Sequence, residues 1–359
     1  MPRDLKGDIQ RYSQLFGPSG EEDLVIRAVV DDLQAAGFEA QIDVFGNVSA
    51  MVTDAAPGHP TVMVSAHTDE IGFVVRKIDE NGFLRLHRVG GVHDRVMAGQ
   101  RLLFRTARGV IEGSVGVKAK HVSSPDELSR AVRVDEAYVD VCARSAEEAA
   151  DLGLEVGTLG TFKGDFTEQN GFVRAKALDD RVGIALLLDL ARRVHENPPK
   201  AGVVVLATVQ EEFSVRGGIP AARVLQPDLA FCLDIAIATD TPDLRDHGDV
   251  RLGEGPVVTR FTRANLNGII PNPKLRRFAT ETANTYQIPI QYGVLQGGLT
   301  DGSYMQYEGK GIPTLDVSFP TRYTHTPVET CHLEDISLTS DLVLAMLHDM
   351  PAHFDLSRG

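Results

Sequence analysis

Short apolar runs alternate with amphipathic stretches along most of the chain. Residues 8–36 predict two helices separated by a Gly-Pro-Ser-Gly break at 17–20. Strands are predicted at 40–44, 47–52, 61–66, 203–209, 229–233 and 314–318, most of them apolar enough to be buried on both faces. Helical periodicity predicts helices at 182–194, 218–224, 274–286 and 336–353. This alternation predicts an α/β domain whose sheet is covered by helices on both faces.

The pattern changes between residues 72 and 162, where short strands follow one another closely. They are predicted at 73–78, 83–88, 101–106, 110–114 and 136–142, with one helix at 145–152. The Asn81-Gly82 step is a strong hairpin signal between the first two strands. We therefore expect a small β-barrel or sandwich, formed by residues 71–163, inserted into an α/β domain formed by residues 1–70 and 164–359.

Composition and charge narrow the classes of function. The chain of 359 residues is 43% hydrophobic, as in ordinary globular proteins, and carries a formal net charge of −14. This balance argues against nucleic acid or an anionic membrane as partner, because both require a basic surface. The three cysteines form no CxxC pair, and neither a signal peptide nor a membrane-spanning run is apparent. These features predict a cytoplasmic protein.

The residues that could bind a metal ion or take part in catalysis lie mostly where the predicted strands end. Residues that follow the end of an apolar strand are His67, Glu211, Glu212, Asp234 and His325, while Asp179 and Asp180 precede a helix. Each has a simpler explanation by itself: helix capping for Asp179 and Asp180, a turn for Asp234, and solvation for the two glutamates. His67 by itself is more simply a structural histidine, and the histidine at 325 an incidental loop residue. Ligands of open α/β sheets bind outside the carboxyl ends of the strands, however, so these side chains are expected to converge.

The chemistry of the set favours divalent metal ions. Imidazoles and carboxylates without thiolates suit zinc, cobalt or manganese. Two ions about 3.5–4 Å apart could share one carboxylate, which leaves a spare glutamate as proton shuttle. Asp69, two residues after His67, is placed to orient that imidazole through a hydrogen bond.

Several motifs, taken in order, resemble the tetrahedral, dodecameric metalloaminopeptidases. That family includes glutamyl and deblocking aminopeptidases and relatives described as endoglucanases. The principal motifs are SAHTDEIGF at 65–73, KALDDRVG at 176–183, QEE at 210–212 and YTHTPVE at 323–329. Further matches lie at 16–21, 90–96, 270–275 and 296–302, so the resemblance covers nearly the whole chain. The sequence departs from the family pattern at Val92, at Thr326 and in the Gly-Gly-Leu-Thr-Asp run at 297–301, none of which is an expected ligand.

The resemblance implies a fold and a set of residue roles. The fold is a co-catalytic zinc-peptidase sheet with an inserted β-barrel or PDZ-like domain for dimerisation and assembly. Two divalent metal ions per subunit, zinc before cobalt or manganese, would be held by His67 and Asp234 on one side, Glu212 and His325 on the other, and Asp179 between them. The Asp179–Asp180 peptide would be cis, Glu211 would act as general base and acid, and Asp69 would be the partner of His67. The subunits would build a tetrahedral dodecamer from dimers and act on peptides.

The sequence supports a two-metal aminopeptidase ahead of three alternatives. A two-metal N-acyl amino acid deacylase or carboxypeptidase needs a cation for the substrate carboxylate, which the acidic balance does not favour. A glycanase is disfavoured because the chain has no tryptophan and only 6% aromatic residues. A shell-forming structural protein would not need the complete set of ligands and base. The residues that select the substrate side chain are expected in loops near 297–303 and 251–267.

Overall fold

The computed structural model describes residues 4–358. Within that range it contains ten α-helices: α1 (Leu5–Gln14), α2 (Asp23–Ala35), α3 (Pro125–Ser129), α4 (Ala146–Asp151), α5 (Leu178–Glu196), α6 (Glu211–Ser214), α7 (Gly218–Leu225), α8 (Pro273–Thr285), α9 (Gly302–Met305) and α10 (Leu333–His348). None of the helices in these residues combines the length and apolar character needed to cross a membrane.

Nineteen strands are present in the same range. They are β1 (Gln41–Ile42), β2 (Val48–Thr53), β3 (Thr61–His67), β4 (Gly72–Ile78), β5 (Leu84–Val89), β6 (Arg101–Thr106), β7 (Gly109–Val115), β8 (Tyr138–Asp140), β9 (Leu159–Phe162), β10 (Thr167–Gln169), β11 (Phe172–Ala175), β12 (Gly202–Thr208), β13 (Leu229–Cys232), β14 (Ile235–Ile237), β15 (Val257–Ala264), β16 (Asn267–Ile269), β17 (Gln291–Gln296), β18 (Thr314–Thr321) and β19 (Glu329–His332).

A ten-stranded sheet forms the centre of the molecule. Its main path runs β1-β2-β12-β3-β13-β18-β15-β16, with β14 paired to β18 and β17 to β15. The four central strands β12, β3, β13 and β18 are parallel, so their carboxyl ends meet at one edge. The strands β10, β11 and β19 form a separate small sheet.

Helices cover both faces of the large sheet, as the sequence predicts. Along β3, Val62 and Val64 pack into a core shared with α1, α2, α5, α8 and α10, whereas Met63 joins a second core shared with α7 and α9. Successive side chains of a strand point to opposite faces, so one strand contributes to both cores. Burial on both sides explains why these runs read as almost continuously apolar.

The predicted β-rich region is a closed barrel with the strand order β4-β5-β8-β7-β6-β9. It has a hydrophobic core of its own, in which Phe73 and Phe162 meet edge to face with ring centroids 5.1 Å apart. Strand β9, which the sequence pattern does not predict, pairs with both β4 and β6 and thereby closes the barrel. The barrel rather than the sandwich is therefore the correct form.

Three other expectations about local structure are wrong. The barrel region contains a second helix, α3, whose start is fixed by a capping box between Ser124 and Glu127. The last helix ends at His348 rather than at residue 353, shortly before Pro351. Much of residues 251–267, expected to be a loop, is strand β15, which pairs with β18.

A buried ion-pair network joins the barrel to the large sheet. Lys176 Nζ donates to both carboxylate oxygens of Glu70 at 2.8 Å, and Arg181 Nη2 lies 3.4 Å from one of them. Thr161 of barrel strand β9 donates its hydroxyl to the same carboxylate at 2.7 Å, and the backbone N–H of Gly17 donates at 3.2 Å. The segment that connects the sheet to the barrel is therefore anchored by a buried carboxylate, both of whose oxygens accept hydrogen bonds.

Candidate metal centre

The predicted site residues meet at the carboxyl edge of the large sheet. His67 is the last residue of β3, Glu211 and Glu212 open α6 just after β12, and Asp234 follows β13. His325 lies in the loop after β18. Asp179 and Asp180 lie within the bounds of α5 but have non-helical backbone angles, so they directly precede its regular part, as the sequence predicts.

These side chains form two groups that share one carboxylate. His67, Asp179 and Asp234 offer one set of ligand atoms within 4.8 Å of one another, and Asp179, Glu212 and His325 offer a second. Asp179 Oδ1 lies 3.1 Å from His67 Nε2, and its other oxygen lies 3.5 Å from His325 Nε2. Glu212 Oε1 is 3.1 Å from the same nitrogen of His325. The arrangement offers two adjacent cation sites with Asp179 between them.

The electrostatics of the two groups favour bound cations. Burial opposes protonation of His325, but Glu212 and Asp179 outweigh it and raise the pKa of that imidazole to about 12. Burial and the neighbouring carboxylate of Asp179 raise the pKa of Asp234 well above its usual range. A protein without bound cations would hold extra protons here because several carboxylates lie close together away from water. A divalent ion would neutralise the same excess of negative charge.

Two carboxylates outside these groups fix the backbone of the ligands. Asp180 accepts the backbone N–H of His67 at 3.1 Å and that of Gly183 at 3.1 Å, so it also performs the helix-capping role considered for it. Glu329 accepts the backbone N–H of Asp179 at 3.0 Å with one oxygen and that of His325 at 2.7 Å with the other. The Asp179–Asp180 peptide is cis, as the resemblance implies.

Sequence reasoning assigned no role to Glu329, although it lies within a quoted motif. The available signal was its position four residues after His325. In the structure it is 2% exposed, which for a glutamate implies satisfied hydrogen bonds. Its two contacts tie together ligands that are far apart in the chain.

Asp69 contacts both the start of α6 and the histidine at the end of β3. One carboxylate oxygen accepts the backbone N–H of Glu211 at 2.9 Å, and the other accepts that of Glu212 at 3.0 Å and the Ser19 hydroxyl at 2.5 Å. His67 Nδ1 lies 3.2 Å from the Asp69 carbonyl oxygen and 3.4 Å from its carboxylate. A carbonyl can only accept a hydrogen bond, so Nδ1 carries a proton and Nε2 faces Asp179.

Glu211 lies beside the two groups without belonging to either. It is 8% exposed, and burial raises the pKa of its carboxyl group well above the usual value. Its backbone is held by Asp69, while its side chain has no hydrogen-bond partner within residues 4–358. The backbone of Glu211 is thus held in place, while its carboxylate remains available to act on a substrate.

A family model described as M42 glutamyl aminopeptidase matches residues 46–342. Among related proteins, a putative aminopeptidase, SgcX, of Escherichia coli is 37% identical, covering 94% of this chain and 91% of its own. A lysyl aminopeptidase of Pyrococcus furiosus is 36% identical, covering 93% and 94% respectively.

Solved structures agree with these sequence matches. A TET aminopeptidase from a marine-sediment thaumarchaeote has a TM-score of 0.91 at 31% identity, covering 97% of this chain and 98% of its own. The Pyrococcus horikoshii TET1 peptidase, which assembles into a tetrahedron or a large octahedral shell, has a TM-score of 0.86 at 29% identity, covering 96% and 100%. A Thermotoga maritima structure described as an endoglucanase has a TM-score of 0.75 at 26% identity, covering 95% and 96%.

Proposed function

The chain belongs to the M42 glutamyl aminopeptidase family, a family of metal-dependent peptide hydrolases, and on that premise we propose that it removes N-terminal residues from peptides with two divalent metal ions. The observation that carries this proposal is the pair of ligand groups joined by Asp179. Each group offers one imidazole and two carboxylates, of which one carboxylate is shared.

The donor set fits two metal ions. One ion would be held by His67 and Asp234, the other by Glu212 and His325, and Asp179 would bridge them. Zinc suits the mixture of imidazole and carboxylate ligands, with cobalt and manganese as alternatives. When bound, such ions supply Lewis acidity, which lowers the pKa of water and polarises a substrate carbonyl.

Glu211 is the proposed general base and acid. Its carboxylate takes a proton from the attacking water and returns it to the leaving amine. Asp69 acts as a positioning residue, because it holds the backbone of Glu211 and Glu212 and lies against the Nδ1 side of His67. Glu329 and Asp180 hold the backbone of the bridging ligand and the two histidines.

We also propose that the subunits form a tetrahedral dodecamer built of dimers, with the inserted domain at 71–163 serving assembly and the cytoplasm as its compartment. Support comes from the related TET1 peptidase and from apolar side chains exposed on the barrel region, of which Val122 and Val156 are more than two-thirds exposed. Light scattering after size exclusion should then report twelve times the 38.9 kDa chain mass.

The proposed activity is tested with aminoacyl-p-nitroanilides and matched N-acetylated controls. The chelated protein should be inactive, and zinc, cobalt or manganese should restore cleavage of the free-amine substrates alone. Turnover of only the acylated substrates would replace the proposal with a deacylase. If no metal restores any cleavage, the aminopeptidase proposal fails.

A further inference from the structure

A cavity of about 610 Å³ opens beside the proposed metal centre. Its wall begins at Ile235, the residue directly after the proposed ligand Asp234, and continues along β15, β17 and β18. We call it the Asp316 pocket, after the acidic residue that lines it. It takes residues from both segments expected to govern side-chain selection, among them Phe261 and Thr300.

Most of the wall of the Asp316 pocket is apolar. Its larger side chains include Ile235, Val250, Phe261, Val294 and Leu295. An aliphatic chain would be desolvated favourably against such a wall.

Asp316 is a buried acidic residue in this mostly apolar wall. It is 1% exposed, and one carboxylate oxygen accepts the Thr300 hydroxyl at 3.2 Å. The other oxygen has no hydrogen-bond partner among residues 4–358. Burial, only partly offset by the Thr300 hydrogen bond, raises the pKa of this carboxyl to about 7. A buried carboxylate with an unpaired oxygen is costly, and a cation inside the pocket would relieve that cost.

The register of the sheet sets the distance between Asp316 and the metal centre. Asp316 pairs with Cys232 across the parallel strands β18 and β13, and Asp234 follows two residues later. Two residues of extended chain span roughly 6–7 Å. An extended lysine side chain, with five bonds of about 1.5 Å between Cα and Nζ, is also roughly 6 Å long.

The charges around the pocket favour a cation over an anion. Asp249 and His247 are the other titratable groups that line it besides Asp316 and Tyr292. The described lining contains neither lysine nor arginine, and the guanidinium of Arg260, which lies over the ring of Tyr292, donates to Thr280. A glutamyl side chain would therefore meet repulsion from Asp316 without a compensating cation.

We propose that the Asp316 pocket receives the side chain of the substrate's N-terminal residue and that Asp316 makes the enzyme selective for lysine and arginine. This inference rests on the proposed aminopeptidase function. The pocket walls bind the aliphatic part of the side chain, and the unpaired carboxylate oxygen accepts a hydrogen bond from the ammonium or guanidinium group. The pocket therefore selects the substrate side chain by its positive charge and by its length.

The test compares lysyl with norleucyl p-nitroanilide, which differ chiefly by the terminal ammonium group. In the metal-loaded wild type, kcat/KM for the lysyl substrate should exceed that for the norleucyl substrate by about 10- to 100-fold, the range expected of a charged hydrogen bond. Asp316→Asn should bring the ratio close to one, chiefly through loss of lysyl cleavage. Asp246→Asn, an exposed acid of a neighbouring loop that does not line the pocket, is the matched control and should keep the wild-type ratio.

A second readout separates this inference from the proposed activity. Calorimetry of lysinamide and norleucinamide binding to metal-loaded Glu211→Gln should show the same preference without turnover, and Asp316→Asn in that background should remove it. If norleucyl or glutamyl substrates are cleaved as well as lysyl substrates, the inference is wrong while the aminopeptidase proposal stands. If no substrate is cleaved, the calorimetric preference alone decides: equal binding of the two amides overturns the inference.

Discussion

Asp69 accepts the backbone N–H of Glu211 at 2.9 Å, which links the end of β3 to the start of α6. The second carboxylate oxygen of Asp69 accepts the N–H of Glu212 at 3.0 Å. An amide has only one acceptor oxygen, so Asp69→Asn cannot make both bonds. We expect kcat to fall by about 10- to 100-fold, as for other residues that orient metal ligands, with little change in KM.

Steady-state kinetics and thermal unfolding of the metal-loaded protein check this prediction. Ser19→Ala is the matched control, because it removes a hydroxyl that donates to the same carboxylate but leaves both backbone bonds in place. An Asp69→Asn protein with wild-type kcat would remove Asp69 from the positioning role. An equal loss in both variants would assign the effect to the surrounding packing instead.

Substitutions of the adjacent Glu211 and Glu212 should distinguish a loss of catalysis from a loss of metal binding. Glu211→Gln should lower kcat by about 10²- to 10⁴-fold, the usual contribution of a general base, while metal content stays near two ions per chain. Glu212→Gln should lose at least one ion per chain, because Glu212 belongs to a ligand group. Elemental analysis beside kinetics distinguishes the two. Metal loss in Glu211→Gln would contradict its assignment as base.

Glu329→Gln tests the tether between Asp179 and His325. Both oxygens of Glu329 accept backbone N–H groups, and an amide nitrogen would face one of them unfavourably. We expect metal affinity to weaken by about 10- to 100-fold, measured by competition with a chelator of known affinity. Glu334→Gln, an exposed glutamate five residues away, should retain wild-type affinity. Unchanged affinity in Glu329→Gln would show that the tether is dispensable.

Removal of the charge on Glu70 should destabilise the whole chain. Glu70→Gln leaves Lys176 and Arg181 buried without an ion-pair partner among residues 4–358, and breaking a buried ion pair in this way costs about 3–5 kcal/mol of unfolding free energy. Glu168→Gln, which removes an exposed partner of Lys6, should have a negligible effect. Denaturant unfolding of both variants gives the comparison. Equal stability of the two would mean that the network does not stabilise the fold.

Asp316 should make stability depend on pH. Its folded pKa of about 7 exceeds its unfolded value of 3.8, so the folded state binds more protons between these limits. The stability of the wild type should therefore fall relative to Asp316→Asn as pH rises from about 4 to 7, by an amount on the order of a few kcal/mol. Cys232 and Asp301, which lie near this carboxyl, are present in both proteins. Calorimetric unfolding at pH 5 and pH 8 measures the difference, and a constant gap would refute it.

The grouping of His67, Asp179, Asp234, Glu212 and His325 could be anticipated from the sequence. His67, Glu212, Asp234 and His325 follow apolar strands, and parallel strands end at a common edge, so strand prediction brings them to one place. The bridging position of Asp179, which follows no strand, and the division into two ligand groups were implied only by the family resemblance. The distances between their side chains could not be anticipated, because they depend on the backbone tethers made by Asp69, Asp180 and Glu329.

Strand β9 and Asp316 show where sequence patterns are insufficient. The four residues of β9 are too few to display a periodicity, and the strand exists because β4 and β6 each offer it an unpaired edge. Asp316 lies inside a run that reads as an apolar strand, so its carboxylate looks like an isolated interruption. Only the structure shows that this carboxylate lies at the wall of a cavity.

The hydrogen bond from Thr161 to Glu70 has a geometric consequence. Barrel and sheet have separate hydrophobic cores, so polar contacts between them help to fix their relative orientation. Glu70 lies only three residues beyond His67, and its carboxylate holds the barrel, the N-terminal segment and the start of α5 at a single point. Rotation of the barrel would have to break buried charged contacts beside the loop that carries Asp69. In the proposed dodecamer, the angle at which each subunit would present its barrel to its neighbours would therefore depend on the same buried carboxylate that lies next to the proposed metal centre.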